Sequence, residues 1–96
     1  MIYLEIIEIR STQSSGIKLA FELKELAKEV NKKEEEEIMK VYEHTKIKNE
    51  FSVHIEHASD KIFKRSSRLG LTIISSFKKY GLINHNIWIK QSNQEY

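Results

Sequence analysis

Residues 34–46, EEEEIMKVYEHTK, decide the fold, because two readings of them lead to different architectures. As a helix, the stretch has good helix formers and no breaker, and Ile38, Val41, Tyr42 and Thr45 fall on one stripe. That reading fuses it to the helical pattern before it and gives a helix of about 30 residues, against a mean of about 11–12. As a strand over 38–47, it places β-branched and aromatic residues (Val41, Tyr42, Thr45, Ile47) on a pleated surface. The KIKNE that follows then supplies a hairpin turn, with Asn49 suited to a positive φ. Helix length selects the strand.

Upstream, residues 17–31 carry Leu19, Leu23, Leu26, Ala27 and Val30 at helical spacing, edged by Ala20. Charged residues take the opposite side. Ser14 or Ser15 is available as N-cap, and Asn31 with Lys32 and Lys33 suits a C-terminus. Residues 1–10, MIYLEIIEIR, are apolar on both faces, as expected of a central strand covered on both sides. Downstream, FSVHIEHA (51–58) alternates, with Phe51, Val53 and Ile55 on one face and Ser52, His54 and Glu56 on the other. A loop over 59–65 leads to a second helix capped by Ser66 or Ser67. Its apolar positions are Leu69, Ile73, Ile74 and Phe77, and Gly70 permits close approach to the sheet. Tyr80-Gly81-Leu82 reads as a Schellman-type stop. Residues 83–90 alternate again, with Ile83, His85, Ile87 and Ile89 facing one way and Asn84, Asn86, Trp88 and Lys90 the other.

The order β-α-β-β-α-β predicts an α+β, ferredoxin-like domain over residues 1–91, with a flexible tail at 92–96. Four antiparallel strands carry both helices on one face. The other face would be bare, yet it holds apolar residues of the first strand together with Tyr42 and Trp88. A partly apolar bare face predicts a partner, most simply a second copy. Sharing a face among Met39, Val41, Phe51, Val53 and Ile55 fixes the parity of the middle hairpin. A three-residue loop at 48–50 then pairs Ile47 with Phe51, His44 with His54 and Tyr42 with Glu56.

The 96-residue chain has no cysteine, which excludes disulfides, thiolate chemistry and Cys-ligated metals. No apolar run is long enough to span a membrane, and Glu5 and Glu8 interrupt any signal-peptide pattern, so a cytoplasmic location is expected. Residues 1–58 carry 9 Lys/Arg against 12 Asp/Glu, and residues 59–96 carry 7 against 2. The basic segment 61–68 (Lys61, Lys64, Arg65, Arg68) can serve as a phosphate patch or simply solvate a loop. There is no GxGxxG, P-loop or GxSxG pattern, and no motif calls for a cofactor.

YEH in the second strand, FSVHIEH in the third, SRLGL opening the second helix and YGLINHNIWI entering the fourth strand resemble the dimeric α/β-barrel superfamily, which includes the antibiotic biosynthesis monooxygenase-like proteins. The resemblance is architectural and covers most of the chain. It implies a homodimer whose four-stranded sheets meet face to face. Its members range from cofactor-free monooxygenases and haem-degrading enzymes to proteins without known activity, and no shared signature transfers a catalytic residue.

His44 and His54 are the candidate catalytic residues, since paired imidazoles transfer protons near neutral pH. Tyr42, Glu56, Asn86 and Trp88 are candidate ligand-binding residues beside them. The same histidines can instead be hydrogen-bonded sheet residues at a dimer interface, and no compact ligand spacing supports a metal. His85 reads as a satisfied core or edge histidine and His57 as a solvated residue at a strand end. The expected function is that of a homodimer that binds or acts on a small apolar molecule at the sheet face. A non-enzymatic structural or regulatory dimer and a nucleic-acid-binding module are the alternatives. Glu56 on the candidate face would repel phosphate and disfavours the last.

Overall fold

A computed structural model describes residues 2–12, 14–33, 37–58 and 67–89. Strand β1 spans Ile2–Ser11, helix α1 Gly16–Lys32, β2 Glu37–Glu43, β3 Glu50–Ala58, helix α2 Arg68–Phe77 and β4 Gly81–Ile89. A short 3₁₀ turn, Lys78–Tyr80, joins α2 to β4. The sheet order is β2-β3-β1-β4 with every neighbouring pair antiparallel. This is the order expected of a ferredoxin-like chain, and residues 37–43 form a strand, not a helical extension.

The core follows strand parity. Tyr3, Ile7 and Ile9 of β1, Met39 of β2 and Phe51, Val53 and Ile55 of β3 are buried beneath Leu19 and Leu23 of α1 and Ile73 and Phe77 of α2. Leu26, Ala27 and Val30 of α1 and Leu69 and Ile74 of α2 pack at its margin. The expected stripes of both helices therefore face the sheet. Even-numbered strand residues face away. There Leu4 and Ile6 are half-buried, while Ile38, Tyr42, Leu82 and Trp88 are exposed. The two-sided apolar character of β1 matches its central position, but among the described residues the helices cover only one of its faces.

Helix ends are built locally. Ser67 accepts a hydrogen bond from the Gly70 N–H at 2.9 Å, as an N-cap should. Ser15 occupies the N-cap of α1 without using its side chain for capping, and it receives the Thr12 hydroxyl at 3.0 Å instead. In the last turn of α1, the Asn31 side chain accepts from the Met39 N–H at 2.9 Å and donates to the Met39 carbonyl at 3.0 Å. It thus acts as a one-residue strand partner for the outer edge of β2.

Two local expectations are corrected. Gly81 is not a left-handed helix stop: its backbone is extended (φ 161°) and already part of β4. It must be glycine for another reason, since a Cβ there would lie 1.9 Å from the Arg10 carbonyl oxygen. The middle hairpin keeps its expected parity but shifts in register. Tyr42 pairs with Ser52, Lys40 with His54 and Ile38 with Glu56, so His44 does not face His54 and Tyr42 does not face Glu56. The strand ends at Glu43, and the His44 N–H closes the ladder on the Glu50 carbonyl at 2.9 Å. The wider loop is held by the His44 Nδ1, which accepts from the N–H groups of Lys46 and Ile47, both at 3.0 Å. Asn49 adopts the expected positive φ of 63°. Ile47 is exposed, so no burial pulls the strand onward.

The loop at 59–65, the basic segment apart from Ser67 and Arg68, and the tail at 92–96 lie outside the described residues. Among the described residues no helix is long and apolar enough to cross a membrane.

Candidate functional site

The most unusual chemistry lies under the helices, not on the open face. Glu5 is fully buried on β1, between Tyr3 and Ile7 on the helix-facing side. An isolated buried carboxylate is costly and needs partners. The flanking strands supply them. His57 sits opposite Tyr3 on β3, one step diagonal to Glu5, and its Nε2 lies 2.6 Å from Glu5 Oε1. His85 sits opposite Ile7 on β4, and its Nε2 lies 2.8 Å from Glu5 Oε2. The Ser67 N–H, at the start of α2, reaches both carboxylate oxygens at 3.3 Å. The helix N-terminus adds its own partial positive charge.

Burial alone would raise the Glu5 carboxyl, but the hydrogen bonds from His57, Ser67 and His85 outweigh it and hold the group down at about 2. Glu5 is therefore a fixed negative charge. On the far side of His57, Nδ1 lies 3.2 Å from Glu37 Oε2. Each ring nitrogen of His57 thus faces a carboxylate oxygen. Tyr3 stacks on His57 with ring centroids 4.3 Å apart and planes 10° from parallel. Burial pushes the Tyr3 hydroxyl up to about 12, with Glu5 and Glu37 adding to the shift. Gly70 makes room for the cluster, since a Cβ there would lie 2.3 Å from Glu5 Oε2.

The cluster reaches solvent through Glu37. That residue lines a cleft of about 400 Å³ between the end of α1 and the start of α2. Leu26, Val30 and Leu69 form apolar walls, and Glu29, Lys33, Glu37 and Arg68 supply two charges of each sign. The volume is within the range of small-molecule sites. The line Glu37–His57–Glu5–His85 thus connects a cleft to the middle of the sheet.

The residues singled out in the sequence are distributed differently. Tyr42, His54, Glu56, Asn86 and Trp88 all belong to the open face, being even-numbered strand positions. Tyr42 and His54 meet, with ring centroids 4.6 Å apart, and the His54 Nε2 is 3.0 Å from the Ser52 hydroxyl. Burial lowers the His54 pKa, opposed by Glu56 and Glu8 and assisted by Lys40. His44 is a turn residue, separate from this group. A shallow pocket of about 110 Å³ borders Tyr42, His44 and Ser52.

His57 is not a solvated strand end: it is 4% exposed and has a carboxylate on each ring nitrogen. His85 is the satisfied histidine expected of its position, though its partner is a carboxylate. The missed residue is Glu5, and parity held the signal. Glu5 shares its face with Ile7 and Ile9, His57 with Phe51, Val53 and Ile55, and His85 with Ile83 and Ile87. Three ionisable residues on apolar faces of adjacent strands have to satisfy one another. Among the described residues no group of three or more His, Asp or Glu side chains is arranged to hold a metal ion. No protein-family model matches the chain, and no curated protein matches it.

Proposed function

We propose that the protein is a homodimeric small-molecule-binding protein whose ligand enters the cleft between α1 and α2, above the Glu37–His57–Glu5–His85 line. The observation that carries this reading is the buried, ionised Glu5 shared by two histidines and linked through His57 to a carboxylate at the cleft wall. Buried charge connected to a cleft is more characteristic of binding and proton-transfer sites than of cores, where apolar residues of equal volume are often as stable. The cleft suits a small molecule with an apolar body and a dipolar or zwitterionic head, which Leu26, Val30 and Leu69 and the paired charges would receive. His57 is the group suited to proton exchange, with Glu37 as the outlet.

The dimer rests on a separate observation. Leu4, Ile6, Ile38, Tyr42 and Trp88 share the open face, and a solvated antiparallel sheet face is ordinarily polar. Two copies meeting there, in the manner of a dimeric α/β barrel, would remove these side chains from water. Tyr42, His54, Glu56, Asn86 and Trp88 would then be interface residues, and any pocket they line would lie between the sheets.

A fragment library screened by heteronuclear NMR tests the cleft. Hits are expected to shift the amides of Val30, Lys33, Glu37 and Leu69 and to lose affinity in Glu37→Gln. A screen in which no fragment perturbs these amides would overturn the binding reading. Sedimentation of Ile38→Asp tests the face pairing, because Ile38 lies on β2 in the open face. A dimer unaffected by that charge would remove the open face as the interface.

A further inference from the structure

The connections at one end of the sheet are drawn together. The Ser11 N–H donates to the Asn49 carbonyl at 2.8 Å, and the Thr12 N–H donates to the Tyr80 carbonyl at 3.1 Å. The Asn49 side chain lies against Gly16 at the start of α1, where a Cβ would fall 1.9 Å from Asn49 Oδ1. The first turn of α1, the β2–β3 hairpin and the 3₁₀ turn before β4 therefore form one pole of the molecule.

That pole is basic and apolar at once. The hairpin, HTKIKN (44–49), and the turn with its following glycine, KKYG (78–81), contain no Asp or Glu. Their lysines, Lys46, Lys48, Lys78 and Lys79, are exposed, and so is Lys18 in the first turn of α1. Acids stand at its margin. Glu50 is paired with Arg10 at 3.4 Å, Glu22 accepts from the Tyr80 hydroxyl at 2.7 Å, and Glu43 ends β2. The lysines outnumber them, so the pole carries a net positive charge.

Three apolar side chains stand out among these lysines. Ile17 is 91% exposed, Phe21 64% and Ile47 45%, and none belongs to the core cluster. Ile17 and Phe21 are one turn apart on the side of α1 opposite Leu19, Leu23 and Val30. Lys24 and Lys28 continue the same side, with Lys28 held by Glu25 at 3.2 Å. Ile47 is two residues from the Asn49 that abuts Gly16.

We propose that this pole docks on the surface of an anionic phospholipid bilayer. Ile17, Phe21 and Ile47 enter the boundary between headgroups and acyl chains, and the lysines around them sit at the level of the lipid phosphates. The mixture of residues selects this partner. Lysine is depleted at protein–protein interfaces but is favoured at anionic membrane surfaces. Its long stem keeps the ammonium among the phosphates while the neighbouring apolar side chains sink. A nucleic acid would satisfy the lysines and leave the aliphatic Ile17 and Ile47 in water. An uncharged bilayer would receive three apolar tips without holding them, because stable peripheral attachment takes two signals. Docking here rests on neither the cleft nor the pairing of open faces, since the outer side of α1 faces away from the sheet.

Vesicle flotation tests the docking. The full chain is expected to float with vesicles of equimolar phosphatidylcholine and phosphatidylglycerol and to stay down with phosphatidylcholine alone. The I17Q/F21Q and K46E/K48E variants change exposed positions only and are expected to keep the circular dichroism of the original chain. The first should bind the anionic vesicles several-fold more weakly. The second should bind them at least about tenfold more weakly, because each lysine near such a surface is worth roughly a fivefold change. Equal flotation with both vesicles, flotation with neither, or a folded double variant that binds as tightly as the original would overturn the proposal. Orientation is read by single-site labelling, which the cysteine-free chain permits. A polarity-sensitive dye on Ile17→Cys should blue-shift when the anionic vesicles are added. The same dye on Lys32→Cys, at the other end of α1, should not. Equal shifts at the two sites would also overturn docking through this pole.

Discussion

Glu5 and His57, 52 residues apart in sequence, hold one another at 2.6 Å inside the sheet–helix interface. Neither has an apolar side chain, yet both occupy positions that the alternation of their strands assigns to the core. The pair is stabilising only because both of its members are present. Removing one leaves a buried charge without its counterpart, a change that typically costs about 3–5 kcal/mol.

Acid should therefore unfold the protein along a limb set largely by Glu5. Its carboxyl lies near 2 in the fold, below its ordinary value of 4.5. The folded state holds the carboxylate more tightly than the unfolded state does. The stabilisation is fully present above the ordinary value and is lost as pH falls from about 5 toward 2. It amounts to something on the order of 3 kcal/mol. Urea titrations at pH 7, 4 and 3 are expected to show this fall. Glu5→Gln should lower stability at pH 7 by a similar amount and flatten the acid limb. A variant as acid-sensitive as the original chain would assign the limb to other carboxylates.

Gly70→Ala should destabilise, against the usual sign. Within a helix, alanine ordinarily improves on glycine by roughly 0.5–1 kcal/mol. Here the added methyl would lie 2.3 Å from Glu5 Oε2 and 3.3 Å from the Ser67 Oγ. Either the carboxylate moves off its histidines or α2 lifts from the sheet, at a cost of about 1–3 kcal/mol. Thermal denaturation checks the sign. A more stable variant would mean that Glu5 has room to shift.

His44 should behave as a turn residue. Its Nδ1 accepts two backbone N–H groups, so His44→Ala is expected to cost about 1 kcal/mol. His44→Asn, whose side-chain carbonyl can accept similarly, should retain most of that stability. Equal denaturant midpoints for the two variants would show that the ring's hydrogen bonds contribute nothing.

Asn31→Ala removes both bonds to Met39 and should cost about 1–2 kcal/mol. It also uncovers the β2 border. Hydrogen exchange at the Met39 amide is expected to accelerate well beyond the change in global stability, and exchange that tracks global stability alone would indicate that the border is covered by other means.

Much of the architecture was legible without coordinates. The stripes of α1 and α2, the alternation of β3 and β4, and the improbability of a 30-residue helix led to the observed element order and to the correct facing of β2, β3 and β4. The hairpin register was not legible. Parity admits shifts of two or four residues, and the choice depended on the His44 ring folding into the turn and on Asn31 gripping Met39 across eight residues. The candidate site was half legible. Tyr42 and His54 meet as their shared face suggested, whereas the pairing of His44 with His54 depended on the register that failed.

The sequence by itself determined the facing of β2 and β3, because a period of two leaves no other way to bury Met39, Phe51, Val53 and Ile55 together. Only the tertiary structure decided that Glu5, His57 and His85 share one site. Strand order places β1 between β3 and β4, and α2 begins where its first N–H groups meet the carboxylate. Local pattern carries facing, but the neighbours of a buried charge are set by long-range packing.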